Sequence, residues 1–212
     1  MEATRIIALR HGETAWNRDG RIQGWTDIAL NERGEWQAQR AAASLAHEEF
    51  AAVYSSDLSR AHQTAQAIAS GHGLTVQTHV ELRERSFGAF EGQTFAQIDA
   101  QWPEKAHAWR HRVPDFTPDG GESLLTLQAR ITRTVHALAA GHLGQQIAVV
   151  VHGGVLDVLY RAATKVELNT PRSWSLDNAA INRLLWTPDS GLILTGWNDT
   201  LHLQDTLDEP AA

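Results

Sequence analysis

Two short apolar runs, each ending abruptly in a His-Gly pair, constrain this chain more than any other feature. The first is Ile6-Ile7-Ala8-Leu9 running into Arg10-His11-Gly12; the second is Ile147-Ala148-Val149-Val150-Val151 running into His152-Gly153-Gly154. Continuous apolar runs of strand length are the pattern of strands covered on both faces, as in a sheet layered by helices. In such sheets ligands bind at the carboxyl ends of the strands, where these runs turn polar. The glycine after each histidine lets backbone approach a ligand closely. Arginine offers a planar fork matched to phosphate oxygens, and imidazole can serve as nucleophile, base or metal ligand. Either run alone could be a strand with a solvated polar end. Two in one chain point to a shared crevice.

The remaining segments alternate in type. Asn31 is the expected cap of an alanine- and glutamine-rich helix reaching about Glu49. Phe50–Ser56 reads as a strand, and Asp57 as the cap of a helix from Leu58 to about Ser70. A short strand is expected near Leu74–Val80, followed by a polar segment that carries Glu84. Gln93–Arg112 reads as helix interrupted at Pro103, and Val113–Gly121 as a loop. Glu122–Ala140 is an amphipathic helix with Leu124, Leu127, Ile131, Val135 and Leu138 on its apolar face. A helix should follow His152 to about Thr164, and Ile181–Thr187 and Leu192–Trp197 should form a hairpin. This alternation implies an α/β fold of mixed strand direction in one domain, residues 1–212.

Composition narrows the chemistry. Hydrophobic residues at 42% and charged residues at 20% are those of an ordinary globular chain. No apolar stretch reaches the length of a bilayer span, and Arg5 and Arg10 come too early for a signal peptide's apolar region. The absence of cysteine excludes disulfides, thiol catalysis and cysteine metal sites, and fits a cytoplasmic protein. A formal net charge of −7 argues against nucleic acid or an anionic membrane as partner; the sequence leaves open whether the chain forms a homo-oligomer. An anion site on so acidic a body has to be a local concentration of positive charge. Arg60 is placed for that, in the first turn of a helix whose N-terminus carries unpaired N–H donors. Taken singly, Arg60 could be a solvated helix residue, Glu84 a surface carboxylate and His152 a structural histidine.

Several blocks in fixed order resemble the histidine phosphatase superfamily, the phosphoglycerate mutase-like enzymes. They are Arg10-His11-Gly12-Glu13-Thr14-Ala15-Trp16-Asn17, Gln23-Gly24-Trp25-Thr26-Asp27, Ser55-Ser56-Asp57-Leu58-Ser59-Arg60-Ala61-His62, Leu82-Arg83-Glu84 with Phe90-Glu91-Gly92, Gly120-Gly121-Glu122-Ser123 and Val151-His152-Gly153-Gly154. The resemblance implies a three-layer α/β/α fold with a mixed, mostly parallel six-stranded sheet in which one strand is antiparallel. It implies that His11 is the nucleophile and forms a phosphohistidine. Arg10, Arg60 and a protonated His152 would hold the phosphoryl oxygens, with Asn17 and the Gly153 amide assisting, and Glu84 would donate and accept the proton. Substrate contacts should come from Gln23, Gly24, Trp25, Phe87 and the Trp102–Arg112 segment. No metal or other cofactor is implied; a cation held by His11, His152 and Glu84 would be crowded by Arg10 and Arg60.

Within that resemblance two activities remain. In the mutases a longer insertion after the Glu84 block covers the site and grips a carboxylate, whereas Gly88–Gly121 here looks like the shorter segment of the phosphatases. The expectation is a phosphomonoester hydrolase acting on a small phosphorylated metabolite, with a phosphoglycerate mutase-type isomerase as the alternative. A non-enzymatic phospho-ligand binding protein should have lost His11 or Glu84, and both are present. Trp109-Arg110-His111-Arg112 echoes a basic pair of the mutases and reads equally as a solvated helix face.

Overall fold

The computed structural model describes residues 2–204; Met1 and residues 205–212, the ends of the expected 1–212 domain, lie outside it. The two apolar runs become neighbouring parallel strands, β1 (Thr4–Arg10) and β4 (Gln146–Val151), with Arg10 opposite Val151. β2 (Ala52–Ser55) and β3 (Val76–Thr78) extend the parallel block beyond β4. Beyond β1 lies the hairpin of β5 (Ile181–Thr187) and β6 (Gly191–Asp199), with β5 antiparallel to both its neighbours. The six-stranded order is β3-β2-β4-β1-β5-β6, so one strand runs against the rest, as expected.

Period-two alternation sends the buried strand residues to two cores. Ile6 and Ala8 of β1 and Val149 and Val151 of β4 meet Leu127, Ile131 and Val135 of α6 (Leu124–Ala140) and Val155 and Leu159 of α7 (Gly153–Thr164). Ile7, Leu9 and Val150 point the other way, onto Ala41 of α2 (Glu32–Ser44) and Ala61, Ala65 and Ile68 of α3 (Ser59–Gly71). Each fully buried Leu, Ile or Val contributes roughly 1.5–3 kcal/mol relative to exposure. The small alanines let α2 and α3 approach closely. A four-residue helix, α1 (Ala15–Arg18), follows β1, and the Gln93–Arg112 segment splits into α4 (Phe95–Gln101) and α5 (Pro103–Arg110). Pro103 opens α5, where its missing N–H costs nothing. Phe90, Ile98 and Ala106 form a third core with Trp102, Trp109 and Phe116 under this pair. Among the described residues no helix is long and apolar enough to cross a membrane.

Three local expectations change. Asp57 does not cap α3: the cap position is Leu58, and Asp27 from a distant loop accepts from the Ser59 amide at 2.8 Å and its hydroxyl at 2.7 Å. Asp57 instead grips Arg83 through both carboxylate oxygens, at 2.8 and 2.5 Å. The helix after Asn31 stops at Ser44, because Leu45 turns inward to become fully buried. On α6 the residue sealed in the core is Ala139, with Leu138 only packed against its edge.

Gly34 tests how the first loop is seated. Helix propensity alone favours alanine over glycine by about 0.8–1.0 kcal/mol, but a Cβ on Gly34 would lie 2.0 Å from the Glu13 carbonyl oxygen. The clash is with backbone and cannot be relieved by a rotamer. Gly34→Ala should therefore destabilise the fold, by about 1–3 kcal/mol, read as a lower urea midpoint at unchanged slope. A raised midpoint would show that the loop yields.

Candidate active site

The carboxyl ends of β1, β4 and β2 open into one cleft of about 550 Å³, lined at its base by Arg10, His11, Asn17, Arg60, Glu84 and Gly153. His11 and His152 extend the neighbouring strands, and their rings lie 5.2 Å apart between centroids at 61°. Both are almost wholly buried. The His11 Nδ1 stands 2.7 Å from the carbonyl oxygen of Gly12. A carbonyl can only accept, so Nδ1 carries the hydrogen and Nε2 keeps the lone pair. Burial, then the charges of Arg60 and Arg10, hold the His11 pKa well below the usual imidazole value. His11 is therefore a neutral imidazole in a positively charged surround.

Burial first, then the charges of Arg60, His11 and Arg10, hold the His152 pKa well below the usual imidazole value, so its ring too is neutral in the free cleft. Both its ring nitrogens are buried without a hydrogen-bond partner among the described residues. Buried polar atoms are almost always paired, and these two nitrogens are exceptions next to His11.

The arginines are held by carbonyl oxygens. Arg60 donates from Nη1 to Thr26 O at 2.9 Å and from Nη2 to Gly24 O at 2.8 Å, and Arg10 donates to Leu176 O. Each keeps a buried Nε without a partner among the described residues. Burial lowers the Arg60 pKa to about 10, against the pull of Glu84 and Asp27, which leaves it charged at neutral pH. Gly24, at φ +52°, thus orients Arg60 through its carbonyl, a role distinct from the substrate contact expected of it. Gln23 lines the cleft while its Oε1 accepts from the Thr14 hydroxyl at 3.0 Å. Asn17 caps α1 reciprocally with Thr14 and accepts from Asn178, whose amide also reaches the His11 carbonyl at 2.9 Å.

Glu84 is brought in by α7. Its Oε2 accepts from the Gly154 amide at 2.9 Å and its Oε1 from the Arg85 amide at 2.7 Å. A Cβ on Gly154 would lie 2.2 Å from Glu84 Oε1, so glycine is what admits the carboxylate. The Gly153 amide, in the first turn of α7, is one of the donors that a helix start leaves unpaired.

Sequence reasoning missed the residues that hold this geometry. Arg130 of α6 donates to the carbonyls of Glu81 at 2.7 Å, Arg83 at 2.9 Å and Glu84 at 3.2 Å, and pairs with Glu122. Trp25 donates its indole N–H to the Glu84 carbonyl at 2.7 Å, under the Arg83 guanidinium. Glu91 accepts from the amides of Trp25, Thr26 and Phe87, each at 3.0 Å, and from the Thr26 hydroxyl at 2.7 Å. The signal available for Glu91 was its place in the Phe90-Glu91-Gly92 block, whose glycine can turn the chain. Of the aromatic segment, Trp109 and Phe87 reach the cleft, while Trp102 belongs to the third core.

This arrangement has a match among known families. The model of the histidine phosphatase superfamily (branch 1) matches residues 6–200. The chain belongs to that superfamily. It is similar to "Phosphoglycerate mutase-like protein 4" of Arabidopsis thaliana, 38% identical over 97% of this chain and 90% of that one. It is 38% identical to the "Metal-independent phosphoserine phosphatase" of the same plant, over 95% of this chain and 84% of that one. The native structure of mycobacterial glucosyl-3-phosphoglycerate phosphatase superposes with a TM-score of 0.84 at 34% identity, covering 93% of this chain and all of the other (100%). The superfamily fold is thus the one described above, with His11 lining its cleft and the His152 ring beside it.

Two histidines held neutral have a consequence for stability. The unfolded imidazoles protonate near pH 6.5, while the fold refuses those protons until well below it. Stability should therefore fall as pH drops below about 6.5, each histidine adding about 1.4 kcal/mol per pH unit to the slope. In urea unfolding at pH 6 and pH 5, His152→Asn should lose less stability than wild type by about that amount. Equal losses would mean that His152 accepts its proton in the fold.

Proposed function

We propose that this chain is a metal-independent phosphomonoester hydrolase that acts on a small phosphorylated metabolite through a phosphohistidine on His11. The observation that carries the reading is the His11 ring, neutral, with its Nδ1 hydrogen committed to the Gly12 carbonyl and Nε2 left to attack. Phosphoryl transfer asks chiefly for positioning and for charge around the equatorial oxygens. Arg10 and Arg60, each with an Nε unpaired among the described residues, supply that charge without a metal, and Asn17 and the Gly153 amide add donors. A bound phosphoryl dianion also sets negative charge beside His152, which draws a proton onto it.

In the first displacement Nε2 bonds to phosphorus and the bond to the leaving oxygen breaks, while Glu84 delivers a proton to that oxygen. In the second, the Glu84 carboxylate takes a proton from water as it attacks phosphorus. The N–P bond breaks, inorganic phosphate leaves, and both side chains return to their starting states. The partner is a small molecule; the acidic chain is poorly suited to nucleic acid or anionic lipid, and its lack of cysteine suits the cytoplasm. Hydrolysis is favoured over isomerisation because Gly88–Gly121 builds only the short helices α4 and α5 over the cleft. The relatives include both a mutase-like protein and a phosphatase by name.

Glu84→Gln separates the two steps. A sugar phosphate needs Glu84 in both, so turnover should drop about 10²–10⁴-fold. With p-nitrophenyl phosphate the leaving group needs no proton, and a burst of nitrophenol near one per site should precede slow turnover. Acid-labile phosphate should accumulate on the variant and be absent from His11→Ala. No burst and equal losses on both substrates would assign Glu84 a positioning role only.

Chelators should leave activity unchanged and vanadate should inhibit. With 3-phosphoglycerate and catalytic 2,3-bisphosphoglycerate, phosphate release should exceed formation of 2-phosphoglycerate. Isomerisation well ahead of phosphate release would make the chain a mutase.

A further inference from the structure

A circuit of three asparagines and one aspartate runs from the middle of the sheet to the nucleophile. It starts on β1, where the buried Asn182 of β5 donates Nδ2 to the Ala8 carbonyl at 3.0 Å. Asn182 Oδ1 accepts from the Asn198 amide at 2.8 Å, at the end of β6 where pairing with β5 is irregular. Asn198 holds Asp177 at two points: its Oδ1 accepts from the Asp177 amide at 2.9 Å, and its Nδ2 donates to Asp177 Oδ2 at 2.7 Å. Asp177 opens a turn that the Ala180 amide closes on its carbonyl at 3.2 Å. The two residues inside the turn, Asn178 and Ala179, both reach back to His11.

That turn is built on unfavourable backbone. Ala179 sits at φ +57° and Asn198 at φ +54°, in the left-handed region that residues with a Cβ rarely adopt. Ala179 is also completely buried. Such conformations persist where the surrounding contacts hold them, and they gather at active sites. Here the bend aims the Ala179 amide at the end of β1, 3.1 Å from the Arg10 carbonyl oxygen and 3.3 Å from that of His11.

Donor and acceptor roles around Asn178 follow from the backbone. An amide N–H can only donate, so the atom of Asn17 facing the Thr14 N–H at 3.1 Å is Oδ1. A carbonyl can only accept, so the atom of Asn178 facing the His11 carbonyl at 2.9 Å is Nδ2. The same Nδ2 reaches Asn17 Oδ1 at 3.3 Å. The two hydrogens of one NH2 group thus join the nucleophile's own peptide to the Asn17 carboxamide. With Oδ1 so engaged, Nδ2 is the end of Asn17 left for the cleft, which that residue lines. The His11–Gly12 peptide is held from its other side too, its N–H donating to Thr64 Oγ1 at 3.1 Å. It leads into the Gly12 carbonyl that takes the His11 Nδ1 hydrogen.

We propose that Asn178 is a positioning residue for phosphoryl transfer, one that fixes His11 and Asn17 relative to each other. Asn178 itself does not line the cleft. It acts through the His11 peptide, which sets where Nε2 stands, and through Asn17 Oδ1, which sets where Nδ2 meets the phosphoryl oxygens. The circuit behind it ties this spacing to β1 at Ala8, so nucleophile and donor share one frame. The proposal rests on the phosphohistidine reading and adds the group that aligns its first step.

The test is kcat/KM for p-nitrophenyl phosphate, which covers binding and the first displacement up to release of nitrophenol. Asn178→Ala should lower it about 10–100-fold, the scale of a misplacement of about 1 Å. Asn178→Asp keeps the shape but sets oxygen against two oxygens, and should lose at least as much. A wild-type value in Asn178→Asp would mean that the side chain only fills space, and overturns the proposal. In an Asn17→Ala background, Asn178→Ala should cost a clearly smaller factor than in the wild type, since one of its two partners is gone. Equal factors overturn the link to Asn17. Should Asn178→Ala fail to fold, Asn178→Ser, whose hydroxyl cannot reach both oxygens, replaces it with the same expectations. A wild-type value in folded Asn178→Ala or Asn178→Ser also overturns the proposal. Wild-type protein that forms no acid-labile phosphate during turnover would instead defeat the phosphohistidine reading beneath it.

Discussion

Everything at the cleft depends on the register between β1 and β4. The strands pair in parallel with Arg10 opposite Val151, so the next residue of each, His11 and His152, emerges at the same level. Paired strands lie about 4.8 Å apart, and the two imidazoles inherit that spacing, with centroids 5.2 Å apart. A one-residue slip would exchange the faces of every side chain in a strand. It would send Ile6 and Ala8 to the α2–α3 core and set the histidines out of step. The packing of two different helix layers against alternate residues therefore fixes the positions of the two histidines.

The second constraint is electrostatic. Arg10 and Arg60 are held by the carbonyls of Leu176, Gly24 and Thr26, not by carboxylates. A carbonyl orients a guanidinium and satisfies its N–H groups while leaving its formal charge available to a ligand. Glu84, the acidic group at the base of the cleft, is itself fastened by the amides of Gly154 and Arg85. Burial first, and the same positive surround after it, hold both histidines neutral. One arrangement thus concentrates positive charge in the cleft and keeps the His11 Nε2 lone pair unprotonated.

Much of this was legible in the sequence because it is local. Apolar runs with a polar switch mark strand ends, and the helical spacing of Leu124, Leu127, Ile131 and Val135 marks a core face. His11, Arg60, Glu84 and His152 followed from their blocks. What escaped depends on distant partners. Nothing near Asp57 says that it will leave its helix for Arg83, or that Asp27 will supply the cap from another loop. Nor does the block around His152 show how deeply the sheet buries it. Arg130 and Glu91 were given no role of their own, since most of the carbonyls and amides they collect come from segments far along the chain.

Those two anchors divide the molecule in a way that bears on how it can change. Glu91 ties the loop after Gln23 to the amide of Phe87, and Arg130 pins the segment from Glu81 to Glu84. Both act on the floor of the cleft. The helical pair above it rests on its own small core of Phe90, Ile98 and Ala106. Helices α4 and α5 can therefore be remodelled, lengthened or replaced while the floor keeps its shape. In an evolutionary lineage the reacting groups would be inherited as a unit, and the choice of what they act upon would drift with the roof.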